Sequence, residues 1–396
     1  MSKVYYTGKK MFDGKKVVEN FALLVEDGKI LAAGTQSEVA CPADACREEL
    51  QGWVTPGILD CHVHLVSSDM CGSDEPPKPR EAARLICEGL HNANQLLSAG
   101  VVACRDLGSI CGYSLGIRDA IDQGLVPGPK VLTTGLSISV TAGHGGTIAL
   151  ACDGPVEITK GVRTVIRDSA DVVKIMASGG VNSPGPEPGP CELTEEEFAA
   201  GVEAAHGMGR KVAIHAHGNT AIRRGVWAGV DSVEHGVFMT EDIMDEMVRR
   251  GTYIVPTLSA PYYAVEEGLR VDPGNPDHLR SKSVIQRHRD MLRKCSEKGV
   301  KIAFGTDAGN TYDPYDKAYF ELVLMVEAGL TPEQAFTAAT VGSADLMGLS
   351  DSLGTLEEGK NASFICWLAG DPLADINAVT GDKQVYLNGK QVTAFC

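Results

Sequence analysis

Both ends of the chain carry short runs in which apolar and polar residues alternate, as they do in half-buried β-strands. Turn signals separate the runs, and Asn388-Gly389 is typical of a two-residue hairpin turn. At the amino-terminal end, this pattern predicts antiparallel pairing. Because both ends have the same character, we predict one small β-sandwich domain formed by residues 1–56 and 346–396. Its strands are predicted at 3–7, 21–26, 362–368, 384–387 and 390–393.

Between these ends, short apolar strands alternate with stretches of helical periodicity. Thr194-Glu-Glu-Glu197 is a capping box, and Thr331-Pro332 places proline in a first helical turn. Eight such strand–helix units over residues 57–345 have the size and order of a (β/α)8 TIM barrel, so the predicted fold class is α/β. The strands are predicted at 53–59, 101–105, 130–134, 171–177, 211–215, 231–235, 253–258 and 301–305.

Polar residues with catalytic chemistry follow the carboxyl ends of these strands, where TIM barrels have their active sites. Asp60-Cys-His-Val-His64 places two imidazoles on one face of the first strand, since residues i and i+2 share a face. Alone, this pair could equally be a satisfied polar cluster. The later strands add Arg105, His144, Lys174, His215, His217, His235 and Asp307. Their collection at one end of one barrel favours a metal site.

Histidine nitrogens and carboxylates suit a divalent first-row metal such as zinc. Asp307 could carry a proton from an attacking water to a leaving amine, or it could simply cap the turn Gly305-Thr-Asp-Ala-Gly309. His144 lies in the glycine-rich segment Thr141-Ala-Gly-His-Gly-Gly146. It could stabilise an oxyanion, or it could be a solvated loop histidine.

Lys174 lies within the apolar run Val172-Val-Lys-Ile-Met176. A buried ammonium is costly, so its pKa should fall. A neutral lysine amine can react with carbon dioxide to form a carbamate, which is a carboxylate that can bridge two cations. The alternative is an ordinary lysine paired with a carboxylate at the barrel mouth. The histidines around it favour the carbamate.

The net charge and the composition indicate which classes of binding partner to expect. The 396 residues include 36 Lys and Arg against 52 Asp and Glu, which gives a net charge of −16, and no basic run interleaves with aromatic residues. Nucleic acid and anionic membranes are therefore not expected partners, whereas a small-molecule or peptide substrate is. We expect a homo-oligomer.

The sequence also gives an expectation about compartment. The amino-terminal segment lacks the apolar stretch of a signal peptide, and no apolar run has membrane-spanning length. The 12 cysteines form no CxxC pair, and Cys61, Cys104 and Cys366 sit in apolar runs, as reduced thiols packed in a core do. A cytoplasmic protein without a disulfide framework is expected.

Together, these motifs resemble the amidohydrolase superfamily of metal-dependent hydrolases. The likeness covers nearly the whole chain, from Val54-Thr-Pro-Gly-Ile-Leu-Asp60 to Leu353-Gly-Thr-Leu-Glu-Glu-Gly-Lys360. Three further segments resemble the branch that holds imidazolonepropionase, Xaa-Pro dipeptidases and the lysine/arginine carboxypeptidases. They are Lys174-Ile-Met-Ala-Ser-Gly-Gly180, Ser232-Val-Glu-His-Gly236 and Val255-Pro-Thr-Leu258.

The resemblance implies a binuclear centre with two divalent ions, expected to be zinc. By position, it places the first ion on His62, His64 and Asp307 and the second on His215 and His235. Carboxylated Lys174 and a hydroxide would bridge them. His144 matches a histidine that approaches the scissile carbonyl oxygen in the dipeptidases.

Two positions depart from the family pattern. Prolidase-like members tend to have tyrosine where this chain has His217. Histidine at this position is shared with the basic-residue carboxypeptidases. The return to the β-domain reads Gly359-Lys-Asn-Ala-Ser363 instead of the usual Gly-Lys-x-Ala-Asp. The first departure weakens a prolidase assignment, and the second is remote from the proposed metals.

The expected function is hydrolysis of an amide C–N bond in a small peptide or N-acyl amino acid, by attack of the bridging hydroxide. A cyclic-amide or xenobiotic amide or carbamate hydrolase is the alternative, since fold and metals do not set the substrate. A catalytically inert metal-binding scaffold is a further alternative. Candidate substrate contacts are Arg105, the Asn182-Ser-Pro-Gly185 loop, His217 and Tyr262-Tyr263.

Overall fold

The computed structural model describes residues 3–67, 76–180, 183, 189–310 and 312–393. Its strands are β1 (Val4–Phe12), β2 (Val17–Glu26), β3 (Lys29–Thr35), β4 (Cys46–Glu49), β5 (Trp53–Pro56), β6 (Ile58–Val63), β7 (Val101–Asp106), β8 (Lys130–Thr133), β9 (Ser137–Ser139), β10 (Ala149–Ala151), β11 (Val173–Met176), β12 (Val212–Ala216), β13 (Ser232–His235), β14 (Tyr253–Val255), β15 (Lys301–Ile302), β16 (Phe364–Trp367), β17 (Lys383–Leu387) and β18 (Lys390–Gln391).

The α-helices alternate with the strands of the middle region. They are α1 (Pro79–Ala99), α2 (Tyr113–Asp122), α3 (Gly154–Arg167), α4 (Glu195–His206), α5 (Asn219–Ala228), α6 (Glu241–Arg250), α7 (Ser259–Glu266), α8 (Gly268–Val271), α9 (Pro276–Lys298), α10 (Phe320–Glu327), α11 (Pro332–Thr337) and α12 (Ser343–Met347). The expected helix starts are confirmed, because Thr194 and Thr331 both form capping boxes.

Strands from both ends of the chain share one eight-stranded sheet, in the order β18-β17-β16-β5-β1-β2-β3 with β4 paired to β1. Tyr6 of β1 packs edge-on against Phe364 and Tyr386, so the two chain ends share an aromatic core. The pairing is not purely antiparallel as predicted, because β1 runs parallel to both β4 and β5. Asn388 and Gly389 have φ of 49° and 71°, as the predicted hairpin turn requires.

The predicted single strand at 53–59 is wrong, because two strands in different sheets occupy this segment. β5 pairs with β16 of the end sheet, whereas β6 pairs with β7 of the middle region. Gly57 separates them, and a Cβ there would lie 2.4 Å from Val102 Cγ1. The residues are buried on both sides of Gly57, so hydrophobicity alone does not mark the change of sheet.

The middle region is an α/β fold of the TIM-barrel type. Its parallel strands form the sheets β6-β7-β8 and β10-β9-β11-β12-β13-β14-β15. The other seven predicted strands each overlap one of these observed strands. Backbone bonds also join β6 to the segment after β15: Cys61 N–H donates to the Phe304 carbonyl at 2.9 Å, and His64 N–H to the Ala308 carbonyl at 2.8 Å. These bonds bring His62 and Asp307 to one place.

The cysteines follow the packing expected of them. Cys61, Cys104 and Cys366 are buried among apolar side chains, and every cysteine in the described part of the chain is a free thiol. None of the described helices has the length and apolar character needed to cross a membrane.

Candidate active site

One cavity of about 660 Å³ gathers most of the predicted site residues at the ends of the middle-region strands. All six residues predicted to hold metal line it, and so does His144. The full lining is His62, His64, Ser67, His144, Gly145, Gly146, Thr147, Ile148, Lys174, Met176, His215, His235, Asp307 and Asn310.

Backbone conformation helps to aim these side chains. His235, Thr257 and Asp307 have φ of 69°, 52° and 69°, in the left-handed region that residues other than glycine rarely adopt. Such conformations cost free energy and persist where the surrounding structure imposes them, which is often at functional sites. Here they occur where the chain leaves β13 and β14 and after β15, so they redirect the chain at the cavity.

The first ligand group is formed by His62, His64 and Asp307. The Nε2 atoms of the two histidines lie 3.2 and 3.3 Å from Asp307 Oδ1. His62 Nδ1 pairs with Glu234 Oε2 at 2.9 Å, and His64 Nδ1 pairs with the Gly108 carbonyl at 2.8 Å. Because each Nδ1–H donates to one of these acceptors, the Nε2 atom of each ring, which lies beside Asp307, keeps its lone pair for a metal.

His215 and His235 belong to the second group. The Thr257 hydroxyl donates to the Pro256 carbonyl at 2.6 Å, so its oxygen accepts from His235 Nδ1 at 2.7 Å and His235 Nε2 keeps its lone pair. His215 Nε2 is buried and has no hydrogen-bond partner. Ring nitrogens of His215, His217 and His235 lie within 4.8 Å of one another, as do ligand atoms of His62, His235 and Asp307.

These residues fit a divalent metal. Burial, reinforced by the Lys174 charge, lowers the pKa of His62 to about 4, and burial holds the pKa of His215 and His235 well below the usual value. These three imidazoles are therefore neutral near pH 7, as metal ligands must be. At His64, burial is outweighed by the hydrogen bond to Asp307 and by the charge of that carboxylate, so its pKa is raised instead. A buried imidazole nitrogen without a partner and a carboxylate at the same cavity form a donor set that zinc or a similar ion satisfies.

Lys174 lies at the cavity on β11 and is only 1% exposed. Burial lowers its pKa to about 8, although Glu234 and Asp307 oppose the shift. Within the described ranges, Lys174 forms no ion pair with a carboxylate. The alternative of a salt-bridged lysine at the barrel mouth therefore has no partner among these residues.

Glu234 and Asp60 are supporting residues that the sequence analysis missed. Glu234 is fully buried and accepts hydrogen bonds from His62 and Arg105. Asp60 accepts from the backbone N–H of His62 at 3.0 Å and from the Thr306 hydroxyl at 2.7 Å, so it ties β6 to the segment that carries Asp307. Both acids occupy buried strand positions. An acidic residue within an apolar run is the sequence signal that could have identified them.

Arg105 lies behind the cavity instead of at its surface. It is 2% exposed, and it donates to the Cys61 carbonyl at 2.6 Å and to Glu234 Oε1 at 3.0 Å. This position does not support the predicted contact with substrate, because the guanidinium is hydrogen-bonded to Glu234 and to the β6 backbone. The guanidinium instead holds the carboxylate that orients His62.

The remaining candidates are dispersed. His144 stacks on His215 with ring centroids 4.2 Å apart, whereas His217 stacks on His235 and lies outside the cavity lining. Tyr262 of α7 packs against Tyr263 and against Phe320 of α10, away from the lining. Of the 182–185 loop, only Ser183 lies within the described residues. Lining residues that the sequence analysis missed are Ser67, Thr147, Ile148, Met176 and Asn310.

Replacing Arg105 by leucine should destabilise the fold by about 3–5 kcal/mol, because Glu234 would remain buried without its cation. Denaturant unfolding measures the change. The exposed Arg163 on α3 is the matched control, and its leucine variant should stay within about 0.5 kcal/mol of the parent. Equal effects at both positions would contradict a structural role for the Arg105–Glu234 pair.

Known proteins resemble this chain over most of its length. The ochratoxinase of Aspergillus niger is 29% identical over 420 residues, covering 96% of this chain and 84% of ochratoxinase. An imidazolonepropionase of Sphingopyxis alaskensis is 23% identical over 398 residues, covering 91% of this chain and 89% of that protein.

Solved structures with a similar fold include two with named activities. A crystal structure of a Xaa-Pro dipeptidase with methionine bound in its active site superposes with a TM-score of 0.87 at 31% identity, covering 99% of this chain and 100% of the other. The crystal structure of A. niger ochratoxinase gives 0.85 at 25%, covering 99% and 96%. A family model described as "Amidohydrolase family" matches residues 53–392. The chain therefore belongs to the amidohydrolase family, and it is a hydrolase that acts on carbon–nitrogen bonds.

Proposed function

We propose that this protein is a binuclear metal-dependent amidohydrolase that cleaves the amide bond of a small peptide or N-acyl amino acid. The carrying observation is that both proposed ligand groups, His62 with His64 and Asp307 and His215 with His235, line one cavity together with buried Lys174. A relative described as a Xaa-Pro dipeptidase supports a peptide substrate.

His62, His64 and Asp307 would hold one divalent cation, and His215 and His235 the other. Lys174, carboxylated by carbon dioxide, would serve both. Zinc suits this set of nitrogen and oxygen donors. Bound there, the cations would supply Lewis acidity and make water more acidic.

Asp307 would move the proton. Burial raises its pKa, but the nearby His62 and His64 outweigh burial, so the net shift is downward and the carboxylate is ionised near pH 7. It can accept a proton from the attacking water and pass it to the leaving nitrogen. The neutral His144 imidazole faces the same cavity and can donate an N–H to the carbonyl oxygen as negative charge develops there.

The architecture that supports this chemistry is inferred in the same way. We assign the two parallel sheets to one (β/α)8 barrel of residues 57–345, since the β6 backbone bonds to residues 304–308 link the first strand to the last. Residues 1–56 and 346–396 would form the β-sandwich, supported by their shared sheet.

A cyclic-amide or xenobiotic amide or carbamate hydrolase is the second candidate. It is favoured by the cavity lining, in which the described residues include no arginine that could bind a substrate carboxylate. Relatives described as imidazolonepropionase and ochratoxinase also support it.

Elemental analysis of the purified protein should find close to two divalent cations per chain, because two ligand groups are present. Extraction with a chelator should abolish turnover, and zinc should restore it. A fully active preparation that holds one cation or none would contradict the binuclear proposal.

A substrate screen separates the two candidates. The zinc-loaded protein is tested against dipeptides, N-acyl amino acids, cyclic amides and carbamates, with release of the amine as the readout. Turnover confined to the first two groups is the expected result. Turnover confined to the last two would replace the proposal with the second candidate.

A further inference from the structure

Two side chains hold the backbone of His144 in the glycine-rich segment 141–146. Glu192 Oε2 accepts the His144 N–H at 3.0 Å, and Ser139 Oγ donates to the His144 carbonyl at 2.9 Å. Both backbone polar groups of this residue are therefore bound by side chains. Bonds on either side of a residue fix its two peptide planes, and with them the direction in which its side chain leaves the chain.

Glycine at position 143 permits this close approach. A Cβ there would lie 2.5 Å from Ser139 Oγ and 2.8 Å from Glu192 Oε2, which is too close for any other residue. Ala142 has φ of 59°, so the chain turns through the left-handed region just before Gly143. Glycine here gives Ser139 and Glu192 access to the backbone of the segment.

Glu192 is itself anchored to the strand that carries Lys174. Its backbone N–H donates at 3.0 Å to the carbonyl of Ala177, the residue that follows β11. The hydrogen bond from Glu192 to His144 therefore ties the glycine-rich segment to the end of β11. The position of His144 relative to the proposed ligand Lys174 depends on this bond.

Neither Glu192 nor Ser139 is among the described residues that line the cavity, whereas His144 is. Glu192 can therefore affect the reaction through His144 instead of by touching the substrate. The His144 ring stacks on His215 with centroids 4.2 Å apart, so its place at the cavity is defined. Displacing a catalytic group by about 1 Å can lower a rate roughly 100-fold.

We propose that Glu192 is a positioning residue that, together with Ser139, holds the His144 imidazole where it can donate to the substrate carbonyl oxygen. The inference rests on the proposed function, because it uses the role assigned there to His144. Glu192 has only to accept one N–H, so an amide oxygen at the same place serves equally well. A role through charge would require the carboxylate.

The test is a double-mutant cycle, measured on a substrate that the screen identifies. His144→Ala should lower kcat about 100-fold, as loss of an oxyanion donor does. Glu192→Ala should lower kcat on the order of 10-fold with KM nearly unchanged, because the imidazole is present but misplaced. In the double variant, Glu192→Ala should add no further loss. Independent effects would multiply to roughly 1,000-fold, and that result would overturn the inference.

Glu192→Gln is the conservative variant, and Glu196→Ala is the matched control. Glutamine keeps an acceptor oxygen, so Glu192→Gln should stay within about twofold of the parent's kcat. Glu196 is exposed in the first turn of α4, and its replacement should leave the rate unchanged. If Glu192→Gln is as slow as Glu192→Ala, Glu192 acts through its charge and the positioning role is wrong.

Ser139→Ala tests the same arrangement from the other side of His144, and it keeps the inference testable if Glu192→Ala fails to fold. It should lower kcat to a similar extent. Both variants should keep two cations, since neither residue is a proposed ligand. Parent-level kcat in both variants overturns this inference alone. A parent that holds no cations, or a His144→Ala variant with parent-level kcat, overturns the corresponding part of the proposed function and this inference with it.

Discussion

Replacing Lys174 by alanine should release at least one cation and lower kcat by about 1,000-fold, since a metal ion contributes several kcal/mol and each tenfold corresponds to about 1.4 kcal/mol. The reason lies in the surroundings of Lys174. Lys174 is buried at the cavity with a pKa of about 8, so an appreciable neutral fraction is available to form a carbamate near neutral pH. Added short-chain carboxylic acids should restore part of the activity, because they can occupy the vacated position.

Lys174→Arg separates the carbamate from a simple positive charge. Guanidinium keeps its charge and forms no carbamate, so this variant should be inactive and should not respond to added acids. Lys160→Ala on the exposed face of α3 is the control and should behave like the parent. Parent-level metal content and rate in Lys174→Arg would rule out the carbamate.

Replacing His62 or His235 by alanine should remove a cation and nearly all turnover while the protein stays folded. Both rings line the cavity, and His62 belongs to the first proposed ligand group and His235 to the second, so each loss leaves a cation short of a donor. The apolar packing of the strands does not depend on these polar side chains. Elemental analysis, circular dichroism and a rate assay together check this expectation.

His206→Ala is the control for the His62 and His235 variants. His206 ends α4 and bonds Asp231 at the surface, 2.8 Å from Nε2 to the carboxylate. Its replacement should leave metal content and rate unchanged. Normal turnover in either His62→Ala or His235→Ala would show that the ligand assignment is wrong.

The sequence was most informative where local rules decide the structure. The capping boxes at Thr194 and Thr331 depend on residues three apart, and the Asn388-Gly389 turn depends on two adjacent residues. Strand ends carrying histidine or lysine were also recognisable, because polar ligands interrupt apolar runs. All six proposed ligands and His144, which these local signals identify, line one cavity.

What the sequence did not reveal depends on contacts between distant segments. The division of 53–59 between two sheets is set by partners at Val101 and Phe364, which periodicity does not identify. The pairing of Arg105 with Glu234 joins residues 129 positions apart, so local sequence predicts a substrate contact for Arg105 and does not identify its buried partner. The grouping of His217 with His215 and His235 likewise requires the three-dimensional placement of β12 and β13.

The shared end sheet has a consequence for how the protein is synthesised. β5 pairs with β16, in which Phe364 lies opposite Pro56, so its partner is translated roughly 300 residues later. At about 5–20 residues per second, that interval is roughly 15–60 s on the ribosome. During this time one edge of β5 is open to pairing with other nascent chains.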